Sequence, residues 1–165
     1  MIITYRLKIK PNKKQEEILN NQLYYSRRLY NHLLDLKIRH YKNYKAYLSK
    51  GELENYSKFL KETEEFNFLT TMHSHLIQDV VARLDNSFQR FFDKIAGFPK
   101  FKNSKKYNSI TFKQPSKMNL FKDYGFINVS NIGNIKLINH LKIDLKILNK
   151  TNNLKTLNIK KENNT

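Results

Sequence analysis

From Ile3 to Lys10 apolar and polar residues alternate, with Ile3, Tyr5, Leu7 and Ile9 on one face and Thr4, Arg6, Lys8 and Lys10 on the other. A period of two is that of a strand, so the chain is expected to open on a β-strand with a basic outer face. Pro11, which has no backbone N–H to offer a ladder, closes it. From there the apolar spacing lengthens to three and four. Asn12 can accept from the free N–H groups of a first helical turn, which predicts a capped helix over Lys13–Leu23. A longer helix is predicted from Tyr24 to Leu48, on Tyr30, Leu34, Ile38, Tyr41 and Leu48, with Gly51 as its end. A short acidic helix follows over Glu52–Glu62. The clearest amphipathic stretch runs from His73 to Ile95, where Ile77, Val80, Val81, Leu84, Phe88, Phe91, Phe92 and Ile95 form one stripe that Gly97 stops. This Phe-rich stripe is expected to be helix-bundle core rather than a base-stacking surface.

After Gly97 helical periodicity is lost, and short strand-like runs take over at residues 109–112, 125–129, 134–138 and 154–159, separated by Asn, Lys and Gly. The order of strand, helices, then strands predicts an α+β fold. It would be a small β-sheet or barrel with a helical bundle inserted after the first strand. The last residues, KKENNT, read as a turn leading into a further strand, so the barrel is expected to be incomplete.

Composition sharpens this picture. With 165 residues, the chain fits one ordinary domain, or a small domain with an insertion, and its 39% hydrophobic content favours folding. The absence of Cys excludes disulfides and thiolate zinc sites. No signal-peptide core or membrane-length apolar run is present, so a cytoplasmic protein is expected. The formal charge of +17 calls for a polyanionic partner, and nucleic acid is the commonest for a soluble protein. A membrane surface would require a lipid-facing basic helix, which the pattern does not show. The charge is uneven: +9 over residues 1–50, −3 over 51–97 and +11 over 98–165. The binding surface is therefore expected at the two basic ends, with the middle as scaffold.

Candidate chemistry is sparse. His73 and His75, two apart, do not share a helix face, and His32, His40 and His140 have no metal-ligand spacing, so solvated or capping roles are expected. Asp79, Asp85 and Asp93 read as a charged helix face, because spacings of six and eight do not converge on a metal. Four scattered glycines cannot build a phosphate loop. No catalytic residue, metal or other cofactor is expected. Nucleic-acid contacts fare better. In residues 97–107 Lys100, Lys102, Lys105 and Lys106 stand among Phe98, Phe101 and Tyr107, with Gly97 freeing the turn and Pro99 stiffening it. The lysines can meet phosphates while an aromatic packs or stacks. Lys113 extends this segment, and Tyr5, Arg6, Lys8 and Lys10 supply the first strand. Arg27 and Arg28 form another basic point, where either a phosphate fork or a structural salt bridge would serve.

The order of these motifs resembles the N-terminal region of the OrfB/TnpB family of transposon-encoded, RNA-guided DNA endonucleases, relatives of the miniature type V CRISPR effectors. The strand, Pro11 and the QEEIL helix are similar to the family's opening. Arg27 with Tyr30 and Asn31 looks like its R-x-x-Y-N signature, which adds Asn31 to the candidates. Residues 97–102, Gly-Phe-Pro-Lys-Phe-Lys, match its G-[FY]-P-[RK]-F-K motif. The resemblance, which spans essentially the whole chain, implies a wedge-like β-barrel domain at 1–10 and 98–165 interrupted by a helical recognition-type insertion at 11–97. It also implies a grip on guide RNA, the RNA–DNA heteroduplex and the motif flanking the DNA target. The RuvC-like nuclease domain and four-cysteine zinc ribbon that follow in the family are absent from these residues. The family's opening has also been described as a helix-turn-helix, and the two helices predicted at 12–48 would form such a pair. However, Tyr30, Leu34 and Ile38 are expected to face a core, not a DNA groove.

The expectation is therefore a non-catalytic nucleic-acid-binding fragment that holds guide RNA, target DNA or both. The alternatives are a DNA-binding repressor using the helical pair, a split enzyme completed by a separately encoded nuclease portion, and a decayed remnant.

Overall fold

The computed structural model describes residues 4–113, 118–140, 142, 144–146 and 155–162. Its elements run β1 (Lys8–Lys10), α1 (Lys13–Tyr44), α2 (Lys50–Leu60), a 3-10 helix (Glu64–Thr71), α3 (Ser74–Phe92), then β2 (Ser109–Lys113), β3 (Met118–Leu120), β4 (Tyr124–Val129), β5 (Gly133–Ile138) and β6 (Thr156–Lys160). The fold is α+β, with strands in two small sheets, ordered β1-β5-β4-β3 and β2-β6. Neither closes into the expected barrel among the described residues. Two compact units divide the chain, one of Met1–Asn20 and Lys113–Leu157, the other of Asn21–Phe112 and Asn158–Thr165.

Asn12 caps α1 as expected, and Gln15 answers it. The Gln15 N–H donates to Asn12 Oδ1 at 2.9 Å, and the Asn12 N–H donates to Gln15 Oε1 at 3.0 Å. The two helices predicted for residues 12–48 are corrected to a single helix of 32 residues. No Gly or Pro interrupts Lys13–Tyr44, and the buried stripe of Leu19, Gln22, Ser26, Leu29, Leu33 and Lys37 keeps helical spacing straight through the proposed break. The helix stops six residues before Gly51, where Lys45 takes a left-handed φ of 52°. Gly51 instead lies in the first turn of α2. The actual start signal is Ser49, whose hydroxyl accepts from the Glu52 N–H while the Glu52 carboxylate accepts from the Ser49 N–H at 2.7 Å. The Ser49 hydroxyl, donating to the same carboxylate at 2.6 Å, and the Ser49 N–H together hold the Glu52 carboxyl below the usual range.

Lys37 shows what the buried stripe demands of a charged residue. Its ammonium donates to the Leu48 carbonyl at 2.7 Å and lies 4.6 Å from the centre of the Phe88 ring. Burial lowers its pKa, with Asp85 and Glu52 working against the shift. A lysine on the core face thus ties the link after α1 to α3.

The α3 stripe buries Ile77, Val80, Val81, Leu84 and Phe88 as predicted, and Leu76, outside the predicted stripe, is buried with them. Its far end is corrected: the helix ends at Phe92, Lys94 turns left-handed at φ 58°, and Phe92 and Ile95 are exposed. His73 takes the capping role foreseen for it, with Nδ1 accepting from the His75 N–H at 3.2 Å. Asp79, expected on a charged face, is buried. It pairs with Arg83 at 2.8 Å, and Arg83 in turn donates to the Ser109 carbonyl at 2.9 Å and to Thr111 Oγ1 at 3.0 Å. An i,i+4 pair one helical turn apart here becomes a bracket between helix and strand.

In the four-stranded sheet, β1 is three residues long; residues 4–7 of the predicted strand are not part of it, and Ile3 lies outside the described residues. It pairs antiparallel with β5, placing Lys8 opposite Ile138 and Lys10 opposite Lys136. β4 and β5 form a hairpin whose turn places Asn131 and Gly133 at positive φ. Ile127, Val129, Ile135 and Leu137 are buried. β3, which no expectation included, pairs with β4. Gly125 permits this approach, since a Cβ there would lie 2.6 Å from Leu120 Cδ2 and 3.0 Å from the Asn119 carbonyl. The run predicted at 154–159 is observed as β6 from Thr156; its first residue, Leu154, lies outside the described residues.

Two outcomes follow for stability. Arg83→Met is expected to cost about 2 to 3 kcal/mol, since it removes the ion pair to Asp79 and the bonds to Ser109 and Thr111. Urea unfolding should show that adding Asp79→Asn to Arg83→Met restores part of that loss; a strictly additive double variant would refute the bracket. The second concerns acid. His32 packs on Phe66 and meets the Tyr56 hydroxyl at 3.2 Å, and burial lowers its pKa, with Arg39 and Arg28 adding to the shift while Glu65 and Asp35 oppose it. A depressed folded-state pKa means the unfolded chain takes up the proton first, so this stability is complete above the ordinary histidine value of about 6.5 and falls as pH drops below it. Thermal melts between neutral and mildly acidic pH should show a smaller loss for His32→Phe than for the native chain.

Candidate nucleic-acid interface

The basic loop and the α1 motif, 71 residues apart in sequence, meet in the structure. The Asn31 side-chain amide donates from Nδ2 to the Lys102 carbonyl at 2.9 Å, and its Oδ1 accepts from the Lys102 N–H at 2.8 Å. One carboxamide therefore satisfies both polar groups of one peptide residue, as a neighbouring strand would. Beside it, the buried Tyr30 ring packs against Tyr107 at 5.8 Å between centroids, and the Lys102 ammonium lies 5.7 Å from the Tyr30 ring centre. Burial raises the pKa of both phenols, so they serve as neutral packing groups. Arg83 lies 5.3 Å from the Tyr107 ring centre on its way to β2.

The loop is held at its other points as well. Phe98 sets its ring edge-on to Phe88 and Phe91, and Pro99 is buried. Asn103 accepts from the Lys106 N–H through Oδ1 at 3.0 Å and from the Tyr107 N–H through its carbonyl at 3.0 Å, making a tight turn. The consequence is that Lys100, Lys105 and Lys106 are exposed on a backbone that has few freedoms left. Phe101, one of the aromatics expected to pack or stack, is 54% exposed among these lysines.

Other predicted site residues fall into distinct roles. Asn31 spends one amide N–H and its carbonyl oxygen on the loop backbone. The Arg28 guanidinium lies 4.8 Å from the Phe68 ring and 5.5 Å from the Phe66 ring, and it approaches Glu65 at 3.9 Å, which realises the structural alternative. Arg27 rests 5.3 Å from the Tyr24 ring on a half-buried face. In the other unit Tyr5, Arg6, Lys8 and Lys10 are exposed, and Lys113 is exposed at the end of β2. The strand register adds Lys136, exposed opposite Lys10. Its signal was present in the alternation of Asn134, Lys136 and Ile138, but only pairing shows which residue it meets.

Among the described residues no helix is long and apolar enough to cross a membrane. Residues 1–46 match a family model described as a helix-turn-helix domain, that of the IS605-type OrfB proteins. No curated protein matches the chain. The matched stretch contains β1, α1, Arg27 and the Tyr30–Asn31 pair; the 97–107 loop lies beyond it.

Asn31→Ala is expected to free the Lys102 amide, raising its hydrogen-exchange rate and the protease sensitivity of the loop, with a stability loss of about 1 to 2 kcal/mol. Unchanged exchange at Lys102 would remove the clasp from the account.

Proposed function

We propose, from an N-terminal region that is that of an OrfB/IS605 transposase family protein, that this chain is a non-catalytic module holding guide RNA, target DNA or both on its basic surfaces. DNA binding is what the helix-turn-helix match supports. The observation that carries the wider reading is the Asn31–Lys102 clasp. It presents three exposed lysines and Phe101 on a braced backbone, and bracing lowers the entropy lost when phosphates are engaged. Lysines placed this way act as point charges that position a backbone without reading bases. Cutting would fall to a separately encoded nuclease portion.

A second reading, duplex DNA bound without RNA, is favoured by the helix-turn-helix match itself. The two readings part on one comparison. Under the first, a transposon-derived guide RNA binds more tightly than an unrelated RNA of equal length, and DNA incubated with the chain and magnesium stays uncut. Equal binding to both RNAs, with a discrete footprint on transposon-end DNA, would favour the second.

Affinity for either nucleic acid is expected to fall linearly with the logarithm of salt concentration. Lys105→Gln with Lys106→Gln should lower that slope by about 2 and weaken all sequences alike. Titrations at several salt concentrations check this.

A further inference from the structure

The register of the four-stranded sheet sorts its side chains into two faces. One row, Ile9, Leu137, Gly125 and Leu120, packs inward, and all but the half-buried Ile9 are buried. The neighbouring rows point the other way. Lys8 stands beside Ile138 and Tyr124, all three exposed. Lys10 stands beside Lys136, Phe126 and Asn119, of which Phe126 alone is half-buried. An outward sheet face normally carries polar side chains. Here it carries rings. Tyr124 is 45% exposed, meets Phe126 edge-on at 6.2 Å, and is stacked at 4.7 Å by Phe121 from the adjoining turn. An open recess of about 370 Å³ lies beside them, lined by Met118, Asn119, Leu120, Phe121 and Phe126.

The charges on this face are of one sign. No strand position on it is acidic, and Asp123 lies in the turn before Tyr124. Lys10 and Lys136 are direct cross-strand partners, an arrangement that is destabilising unless an anion lies against both. A partly exposed cluster of rings at one side of the sheet and a pair of cross-strand lysines at the other suit a strand with unpaired bases, which has bases to stack and phosphates to pair. A duplex keeps its bases stacked on one another and offers only phosphates to such a face.

We propose that the outward face of the β1-β5-β4-β3 sheet binds a single-stranded segment of nucleic acid, with unpaired bases stacking on Tyr124 and Phe126 and phosphates meeting Lys8, Lys10 and Lys136. This rests on the nucleic-acid reading above and adds a second, base-contacting surface to it. The test titrates the full chain with single-stranded DNA, single-stranded RNA and duplex DNA of matched composition, and with heparin, a polyanion without bases. Tyr124→Leu with Phe126→Leu should weaken single-strand binding about tenfold or more and leave heparin binding unchanged. Tyr124→Phe should keep the affinity but reduce the quenching of tyrosine emission on binding; the chain has no Trp to mask it. Lys136→Gln, which leaves the rings intact, should lower the salt slope by about 1. Native affinity in the double leucine variant, an equal loss toward heparin, or tighter binding of duplex than of single strand would overturn the proposal while leaving the basic-surface reading standing. If the native chain held no nucleic acid at all, both would fall.

Discussion

Arg83 is the side chain on which the larger unit turns. It leaves α3, neutralises buried Asp79, covers the Tyr107 ring and ends on three oxygens of β2. A guanidinium can do this because its donors are fixed in a plane and its charge is never lost, whereas an ammonium has no such fork. Everything between α3 and β2 is thereby closed at both ends, by Phe98 against Phe88 and Phe91 at the start and by Arg83 at the exit. The Asn31 carboxamide needs only to secure the middle.

That arrangement explains how a chain of +17 keeps a polycationic loop in order. Repulsion among exposed lysines would open a free loop. Here the cations are placed on a backbone tied down at Lys102, Lys106 and Tyr107, and the buried charges are directed to carbonyls, carboxylates and rings. Arg28 over Phe66 and Phe68, and Lys37 over Phe88, follow the same rule. Cations that face inward hold the fold together, whereas Lys100, Lys105 and Lys106 of the loop face solvent. The two sets cannot be told apart by residue type.

This is also where the sequence was legible and where it was not. Local signals translated well: the cap at Asn12, the α3 stripe through Phe88, and the strands at 109–112, 125–129 and 134–138 each depend on neighbours within a turn or a hairpin. The expected break before Tyr24 does not occur, because nothing between Leu19 and Leu29 interrupts the buried spacing. Gly51 misled in the opposite sense, hiding the Ser49–Glu52 box that begins α2. The lysine loop stood out by composition, yet the role of Asn31 depends on a partner 71 residues away. Lys136 and Tyr124 acquired meaning only once the strand register placed them beside Lys10 and Lys8. β3, three residues long, has too few positions to show any period.

The pairing of β1 with β5 also bears on how the chain is made. Lys8 meets Ile138 and Lys10 meets Lys136, so the first strand emerges from the ribosome long before its partner exists. At about 5 to 20 residues per second, that interval is on the order of ten seconds. The helices in between can form during that time from local contacts alone, while the sheet has to wait. An N-terminal fusion that occupies the free edge of β1 during synthesis would therefore delay the small sheet and spare the helical unit.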